Sequence, residues 1–316
     1  MIRLALAALA LAPAAQVAAP WSDTLSREAL AGLAADAARP PAPADMAARR
    51  ARAEAIQRDI GTRQAARYRV VMADRTIGGV AVRVFTPAGR PRSDAVLLNL
   101  HGGGFVVDSG SLTENIPIAA LTGMTVVAVR YRLAPEHLFP APVEDATAVY
   151  RALLADRPQR RIGVYGTSAG AIVAAELVAR LRAEKRTAPA ALGFLSGSAD
   201  LTRTGDTMAL LLGADAGKGV ARLYAGARDP ADPAISPARG SLSGWPPTLC
   251  LSSTRDYLLS ATADFCRALG DADADARLVV FDGLPHAFWS YIEAPESDVA
   301  FATMARFLRR HLETTR

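Results

Sequence analysis

The feature of this sequence that most constrains its fold is a series of short apolar runs separated by helical patterns. Runs such as 95–100 and 190–195 lack polar alternation, which is typical of strands buried on both faces of a parallel sheet. Because strands that alternate with helices pack as a helix-covered sheet, we predict an α/β fold with eight mostly parallel strands. The predicted strands are 67–73, 80–85, 95–100, 124–129, 161–165, 190–195, 248–251 and 277–281; the predicted helices are 26–38, 45–59, 143–154, 169–182, 260–269 and 299–312.

The first 19 residues of the sequence have the pattern of a secretory signal peptide. Arg3 gives a positive start, residues 4–12 are apolar, and small residues at Val17 and Ala19 suit a cleavage site near Ala19. The apolar run is well short of the ~20 residues that a membrane span needs. We therefore predict an exported protein, periplasmic or secreted, with no membrane span; the alternative is an alanine-rich buried or interfacial helix.

The remainder of the chain divides into one main domain and two additions. The chain has 316 residues, of which 51% are hydrophobic, enough to bury the core of one α/β domain. Residues 20–65 precede the first predicted strand, and residues 198–245 interrupt the alternation with many small and polar residues. Stretches that long without a strand are rare unless they serve a function. We predict an N-terminal cap segment at 20–65, a main domain at 66–316, and a helical cap insertion at about 198–245.

Charge and cysteine content exclude some functions and leave others open. The net charge is +5, but the basic residues are scattered, with the densest run at Arg49, Arg50 and Arg52. Basic and aromatic residues are not interleaved as in nucleic-acid-binding surfaces, so we predict no nucleic-acid partner. Export would permit a disulfide between Cys250 and Cys266. These residues fall in a strand and a helix pattern, which favours two separately buried thiols without excluding a bridge.

A nucleophilic serine is predicted where a strand turns directly into a helix. Gly166-Thr167-Ser168-Ala169-Gly170 follows the strand at 161–165 and precedes the helix at 169–182. A catalytic serine needs a sharp turn with small neighbours, and the helix N-terminus then lies beside the developing negative charge. The letters G-x-S-x-G alone are a weak signal, and a plain tight turn is the alternative. The strand-turn-helix context predicts Ser168 as the nucleophile.

The general base is assigned by elimination among four histidines. In a fold of this kind the chain order is nucleophile, acid, histidine, so His101 and His137 come too early. His311 lies in a terminal amphipathic helix beside two arginines, which is typical of a solvated face. His286 follows the last predicted strand in a loop with glycine and proline. We therefore predict His286 as the base.

The acid that orients the histidine should follow the penultimate strand. Asp256 follows the strand at 248–251 and precedes His286 in sequence. An aspartate there would hold the imidazole tautomer and stabilise the imidazolium. Asp264, on the next predicted helix, and Asp282, four residues before His286, are the alternatives. We predict Asp256.

A glycine cluster after the strand at 95–100 predicts an oxyanion hole. In His101-Gly102-Gly103-Gly104-Phe105, the missing side chains let backbone N–H groups approach a ligand. The expected donors are the N–H groups of Gly103, Gly104 and Ala169. A flexible turn or a phosphate loop is the alternative, but no lysine follows at phosphate-loop spacing. His101 itself is predicted to organise nearby backbone rather than to act as a base or metal ligand.

With these residues placed, the chain resembles the bacterial hormone-sensitive-lipase-like carboxylesterases of the α/β-hydrolase superfamily. The resemblance implies the α/β-hydrolase fold, a helical cap, and cofactor-free and metal-free hydrolysis of a small-molecule ester. The matching segments are His101 to Phe105, Tyr131 to His137, Phe139 to Pro142 leading to Glu144-Asp145-Ala146, Gly166 to Gly170, Ser236-Pro237, and Leu284 to Phe288.

Two positions depart from the pattern of these esterases. An acidic residue is usual where Thr167 stands, and often a second glycine where Ala171 stands. Neither departure removes a catalytic atom, so they affect local hydrogen bonding and the acyl pocket. The segment from Tyr131 to His137 is predicted to be scaffold tied by Arg132, Glu136 and Asp145, and direct contact with substrate is the alternative.

The function predicted from the residues and the resemblance together is serine-dependent hydrolysis of carboxylic esters through an acyl-enzyme, with short- to medium-chain acyl groups favoured. Lactone or amide hydrolysis on the same residues is an alternative. An inactive hydrolase-fold binding protein is another, although all three triad positions are filled. The oligomeric state is not predicted.

Overall fold

A single eight-stranded sheet forms the centre of the molecule. The computed structural model describes residues 23–89, 91, 93–156, 161–203, 205–213 and 215–313. The sheet has the order β1-β2-β4-β3-β5-β6-β7-β8; β1 and β2 are antiparallel to their neighbours, and the other strands are parallel. The strands are β1 (Val70–Ile77), β2 (Val80–Pro87), β3 (Val96–Leu100), β4 (Thr125–Val129), β5 (Ile162–Thr167), β6 (Ala191–Leu195), β7 (Thr248–Arg255) and β8 (Ala276–Pro285).

The central strands are apolar throughout because both faces of the sheet are covered. Every residue of β3 and β6 is buried. Successive side chains of a strand point to opposite faces. Accordingly, Leu97 and Leu98 belong to two different clusters of buried apolar side chains, one on each face. The predicted mostly parallel sheet is confirmed.

Helices flank this sheet and also form the two additions to it. On the main domain, α5 follows β5 directly and so places its N-terminus at the end of that strand. The helices are α1 (Arg27–Ala37), α2 (Met46–Tyr68), α3 (Asn115–Thr122), α4 (Ala141–Asp156), α5 (Ala169–Ala183), α6 (Asp206–Leu212), α7 (Ala216–Ala225), α8 (Leu259–Asp271) and α9 (Pro295–Leu312). Residues 198–245 contain α6 and α7.

The end of helix α2 and the whole of helix α3 differ from the sequence prediction. Helix α2 continues to Tyr68, so the strand predicted from residue 67 begins only at Val70. Arg69 between them has a φ of 52°, a left-handed conformation that ends the helix. Helix α3 was not predicted. Nearly all of its side chains are buried, so its sequence lacks the polar face by which a helix is recognised.

The N-terminal helices are fastened to the C-terminal helix. Glu296 of α9 accepts hydrogen bonds from the backbone N–H of Ser26 at 2.6 Å and from its hydroxyl at 2.8 Å. Arg67 of α2 pairs with Asp298 of α9 through two bonds of 3.0 and 2.9 Å. The two ends of the described chain therefore pack together, and α2 reaches from there toward the carboxyl ends of the parallel strands.

Three further sequence predictions concern the termini, membranes and cysteines. The predicted signal peptide lies outside the described residues and stays a prediction. No helix in the described part of the chain is long and apolar enough to cross a membrane. Cys250 and Cys266 are both buried and form no disulfide. They are therefore two buried thiols, as their strand and helix patterns favoured.

Candidate active site

Ser168 lies at the sharp turn between β5 and α5. Its backbone has a φ of 58° and a ψ of −122°, which is strained for a residue other than glycine. The N–H of Ser168 donates to the carbonyl of Leu195 at 2.9 Å, which holds this turn against β6. The strand-turn-helix context predicted from the sequence is therefore present, and Ser168 lines a cavity there.

The glycines on either side of Ser168 are required by close backbone packing. A β-carbon at Gly166 would lie 2.2 Å from the carbonyl oxygen of Gly170. A β-carbon at Gly170 would lie 1.9 Å from the carbonyl oxygen of Leu100. Real β-carbons do not approach backbone that closely, so the turn against β3 can form only with glycine at both positions.

His286 and Asp256 are hydrogen-bonded to each other at the ends of β8 and β7. The Nδ1 atom of His286 lies 2.7 Å from Oδ1 of Asp256, which is fully buried. Asp256 also accepts hydrogen bonds from the Leu258 N–H at 2.8 Å and the Ser252 hydroxyl at 2.7 Å, and from the hydroxyl of Ser196. Burial alone would raise the pKa of Asp256, but His286 and these hydrogen bonds lower it below its usual value. Asp256 is thus held as a carboxylate against the imidazole.

The rival acids and histidines lie elsewhere. Asp264 is on the outer face of α8, where it pairs with Arg267 at 2.6 Å. Asp282 accepts hydrogen bonds of 3.2 Å from Thr24 and Thr254. His311 lies in α9, with its ring 4.6 Å from that of Phe307.

The glycine loop after β3 faces the same turn. Gly103 and Gly104 have φ values of 116° and 60°, and a β-carbon at Gly103 would lie 2.1 Å from the Val107 carbonyl oxygen. Within the described part of the chain, the backbone N–H groups of Gly103, Gly104 and Ala169 donate to no backbone acceptor. Three N–H groups are therefore available at the position where the sequence predicts an oxyanion hole.

The side chain of His101 contacts the backbone of this loop. Its Nδ1 atom lies 2.8 Å from the carbonyl oxygen of Gly102, and its ring stacks on Tyr131 with a centroid distance of 4.1 Å. The Tyr131 hydroxyl donates to the carbonyl of His101 at 2.6 Å. His101 therefore fixes backbone, as expected, and is not positioned as a base.

The scaffold around Tyr131 differs from its prediction in one residue. Arg132 binds Asp145 as expected, with its Nε 3.0 Å from both carboxylate oxygens. Glu136 does not join them; it pairs instead with Arg50 of α2 at 2.6 Å. Arg50 also donates to the carbonyl of Val106 at 2.9 Å, so α2 is tied directly to the glycine loop.

Sequence reasoning missed Glu114, a fully buried carboxyl behind the nucleophile turn. Glu114 accepts a hydrogen bond of 3.2 Å from the Trp289 indole and interacts with Thr167 and Asn99. Burial raises the pKa of Glu114 to about 8. The esterase pattern usually has an acidic residue at position 167, where this chain has Thr167. In its place, the protonated carboxyl of Glu114 lies against Thr167. One acid at the start of an apolar segment was its only sequence signal.

Tyr257 is a second residue that the sequence did not reveal. It follows Asp256 directly, stacks on the ring of His286 at 4.1 Å, and lies near Ser168. Burial raises the pKa of Tyr257, so its hydroxyl is neutral. The aromatic residue next to the acid was the only available signal, and it does not by itself distinguish packing from a contact with the serine.

Five of the six predicted site residues open onto one cavity of about 520 Å³. Gly103, Gly104, Ser168, Ala169 and His286 line it, and Asp256 lies behind His286 without reaching it. The two additions to the main domain supply much of the remaining lining, from residues between 36 and 56 and between 198 and 220, and main-domain residues such as Ile172 and Tyr257 complete it. A hydroxyl, an imidazole–carboxylate pair and free N–H groups therefore meet in one partly enclosed space, which suits acyl transfer.

This chain is similar to known proteins in both sequence and fold. A family model described as the α/β-hydrolase fold matches residues 97–290. An acetyl-hydrolase of Streptomyces hygroscopicus is 34% identical over 249 residues, which cover 74% of this chain and 81% of the relative. A solved esterase superposes with a TM-score of 0.79 at 30% identity, covering 94% of this chain and 97% of the other.

A second solved structure narrows the relationship. It is an esterase from the bacterial hormone-sensitive lipase family, with a TM-score of 0.79 and 29% identity, covering 91% of this chain and 99% of the other. The chain belongs to the α/β-hydrolase family. Within that family it groups with the esterases of the bacterial hormone-sensitive-lipase type, as the sequence motifs predicted.

Proposed function

We propose that the protein hydrolyses carboxylic esters in two steps of acyl transfer. Ser168 attacks the ester carbonyl while His286 takes its proton, and the alcohol leaves after receiving that proton from His286. Water then attacks the acyl-enzyme with His286 again acting as base, and the acid is released. Asp256 holds the imidazole in the working tautomer and stabilises the imidazolium.

The observation that carries this proposal is the pairing of His286 with a buried carboxylate in the cavity that contains Ser168. Because Nδ1 of His286 is engaged by Asp256 at 2.7 Å, Nε2 is the nitrogen that exchanges the proton with the serine. The cost of burying the Asp256 charge is offset by its hydrogen bonds from Ser196, Ser252 and the Leu258 N–H. Such a construction supports a catalytic role more directly than a packing role.

The N–H groups of Gly103, Gly104 and Ala169 are proposed to bind the oxyanion. They lie in the same cavity as Ser168 and donate to no other backbone group among the described residues. Ala169 begins α5, so the positive end of the helix dipole adds to its N–H. Removing one such donor typically costs about 3 to 4 kcal/mol of transition-state stabilisation.

Short- to medium-chain acyl esters are the proposed substrates. The cavity of about 520 Å³ has room for small acyl and alcohol groups together, and Met208, Leu212 and Val220 give it apolar walls. The relative named an acetyl-hydrolase supports the short end of this range. We also propose that residues 20–65 and 198–245 act as the cap and that the protein is exported.

The test of this function compares two serines of the same cavity. Ser168→Ala should lower kcat on nitrophenyl acetate and butyrate by a factor on the order of 10⁶, because nucleophile and base act as one unit. Ser109→Ala, the matched control, removes a hydroxyl that also lines the cavity and should stay active. A fluorophosphonate should label the wild type and should not label Ser168→Ala. Folded Ser168→Ala with wild-type activity would overturn the mechanism.

A further inference from the structure

One wall of the cavity is rich in arginine, which simple ester hydrolysis does not require. The wall is built mainly by the N-terminal segment, and its four cations outnumber its two anions. The charged residues that line the cavity are Arg39, Arg49, Arg52 and Arg203, with Asp36 and Asp200.

Both aspartates of this wall already have partners. Asp36 pairs with Arg39 at 2.8 Å. Asp200 pairs at 3.2 Å with Arg239, which lies outside the cavity lining. Asp36 is close enough to Arg52 to be influenced by its charge, but its ion pair is with Arg39. The negative charges of the wall therefore leave most of its positive charge uncompensated.

Arg49 and Arg52 are held by neutral acceptors. Arg49 donates through Nε to the Pro43 carbonyl at 3.0 Å, and Arg52 donates to the carbonyls of Pro41 and Pro40 at 2.7 and 2.6 Å. In the part of the chain that the structure describes, no carboxylate lies within 4.0 Å of either guanidinium. The proline-rich loop thus orients two guanidinium groups without cancelling their charge, and each keeps N–H donors for a ligand.

Apolar side chains line other parts of the cavity. Ile172, Met208 and Leu212 are apolar, and a charge placed against them would lose its hydration without compensation. The basic wall is formed by a different segment from the one that carries Ser168 and His286. A ligand that satisfies both regions has an apolar part and an anionic group.

We propose that the cavity selects esters that carry a carboxylate away from the bond that is cleaved, and that Arg49 and Arg52 bind this carboxylate. A guanidinium presents a planar fork of donors that matches the two oxygens of a carboxylate. The inference rests on the proposed ester hydrolysis and specifies the substrate class of the same site. Arg49 and Arg52 are then specificity-determining residues, and Pro40, Pro41 and Pro43 position them.

The test uses two matched pairs of esters assayed by titration of the released acid. Monoethyl glutarate against ethyl pentanoate places the carboxylate in the acyl part, and 4-acetoxybutanoate against butyl acetate places it in the alcohol part. The measured quantity is the ratio of kcat/KM for the charged ester to that for its uncharged partner. In the double variant Arg49→Gln, Arg52→Gln this ratio should fall about tenfold for at least one pair, as expected on losing hydrogen bonds to a charged group.

Arg58→Gln is the matched control, because Arg58 lies on the same helix, pairs with Glu54 at 2.6 Å and does not line the cavity. Its ratio should equal that of the wild type. Added salt should lower the wild-type ratio, since screening weakens the attraction of a partly exposed arginine for an anion. The salt experiment needs no variant, so it tests the inference by itself if the double variant does not fold.

An equal ratio in the wild type and the folded double variant would overturn the inference. So would a ratio that falls as far in Arg58→Gln as in the double variant. If the double variant does not fold, a wild-type ratio that is insensitive to salt would overturn it. If the wild type hydrolyses the uncharged esters but shows no arginine-dependent preference for the charged ones, the proposed ester hydrolysis still stands and only the inference fails. Failure of the wild type on all four esters overturns the proposed function and the inference with it.

Discussion

Replacing Glu114 with glutamine should remove a large part of the pH dependence of folding stability. Glutamine has nearly the shape of a protonated glutamate, and it can still accept the hydrogen bond that Trp289 donates at 3.2 Å. Its amide N–H group points toward Thr167 and Asn99. Within the described residues, neither Thr167 Oγ1 nor Glu114 Oε2 has a hydrogen-bond partner of good geometry, so the substitution breaks no such bond at that end.

The size and sign of the effect follow from the raised pKa of Glu114. In the unfolded chain this carboxyl ionises near its ordinary pKa of 4.5, whereas in the folded protein it keeps its proton up to about pH 8. Between those two pH values the folded state binds one proton more, so wild-type stability falls as pH rises. Each pH unit corresponds to about 1.4 kcal/mol, so the whole interval is worth at most roughly 5 kcal/mol.

Urea unfolding followed by circular dichroism at about pH 5, 7 and 9 measures this difference. Glu114→Gln should match the wild type near the acid end and become the more stable protein at the alkaline end. Glu28→Gln, at an exposed position of α1, is the control and should keep the wild-type slope. If Glu114→Gln and the wild type lose stability in parallel across this range, the buried carboxyl is not the source of the pH dependence.

Four further predictions concern the site and the N-terminus. Asp256→Asn should lower kcat by a factor on the order of 10⁴ in an ester assay, because a neutral partner no longer secures the histidine tautomer; an active Asp256→Asn would reopen the choice of acid. Gly170→Ala should yield little soluble protein, since its β-carbon would meet a backbone carbonyl oxygen at 1.9 Å, and normal yield and thermal stability would contradict that geometry. Tyr257→Phe should reduce kcat several-fold with KM little changed, because the ring still stacks on His286 and only the hydroxyl near Ser168 is lost; steady-state kinetics in which KM alone rises would assign Tyr257 to binding. Mass spectrometry of protein exported by a native-type host should find the mature chain beginning near Pro20, and an intact N-terminus on exported protein would exclude the signal peptide.

The strands of the sheet could be predicted because burial on both faces leaves a local pattern. The apolar runs at 95–100 and 190–195 correspond to β3 and β6 within a residue. The ends of β7 and β8 could not be predicted in the same way. Both strands extend about four residues further than their apolar runs, into polar segments that pair with each other near Arg255 and Pro285. Their length depends on a partner strand, which the local sequence does not contain.

The same distinction separates the predicted site residues from the missed ones. Ser168, Asp256 and His286 each follow a recognisable strand, and the order of strands brings their loops to one edge of the sheet. Glu114 matters because Trp289, from a segment 175 residues away, lies beside it. A residue whose role depends on distant neighbours leaves no pattern in its own segment.

The fastening of the N-terminal helices to α9 sets the order in which the cavity can be completed. Ser26 and Arg67 precede their partners in α9 by 270 and 231 residues. During synthesis α1 and α2 emerge first, yet their ion pairs and hydrogen bonds with α9 can form only after the last helix has left the ribosome. Contacts of such sequence separation also form late in folding, because the intervening loop must close first. The nucleophile turn can therefore be assembled before these contacts hold the arginine wall in place, and a chain that ends before α9 lacks both these contacts and the buried side chains that α9 packs on one face of the sheet.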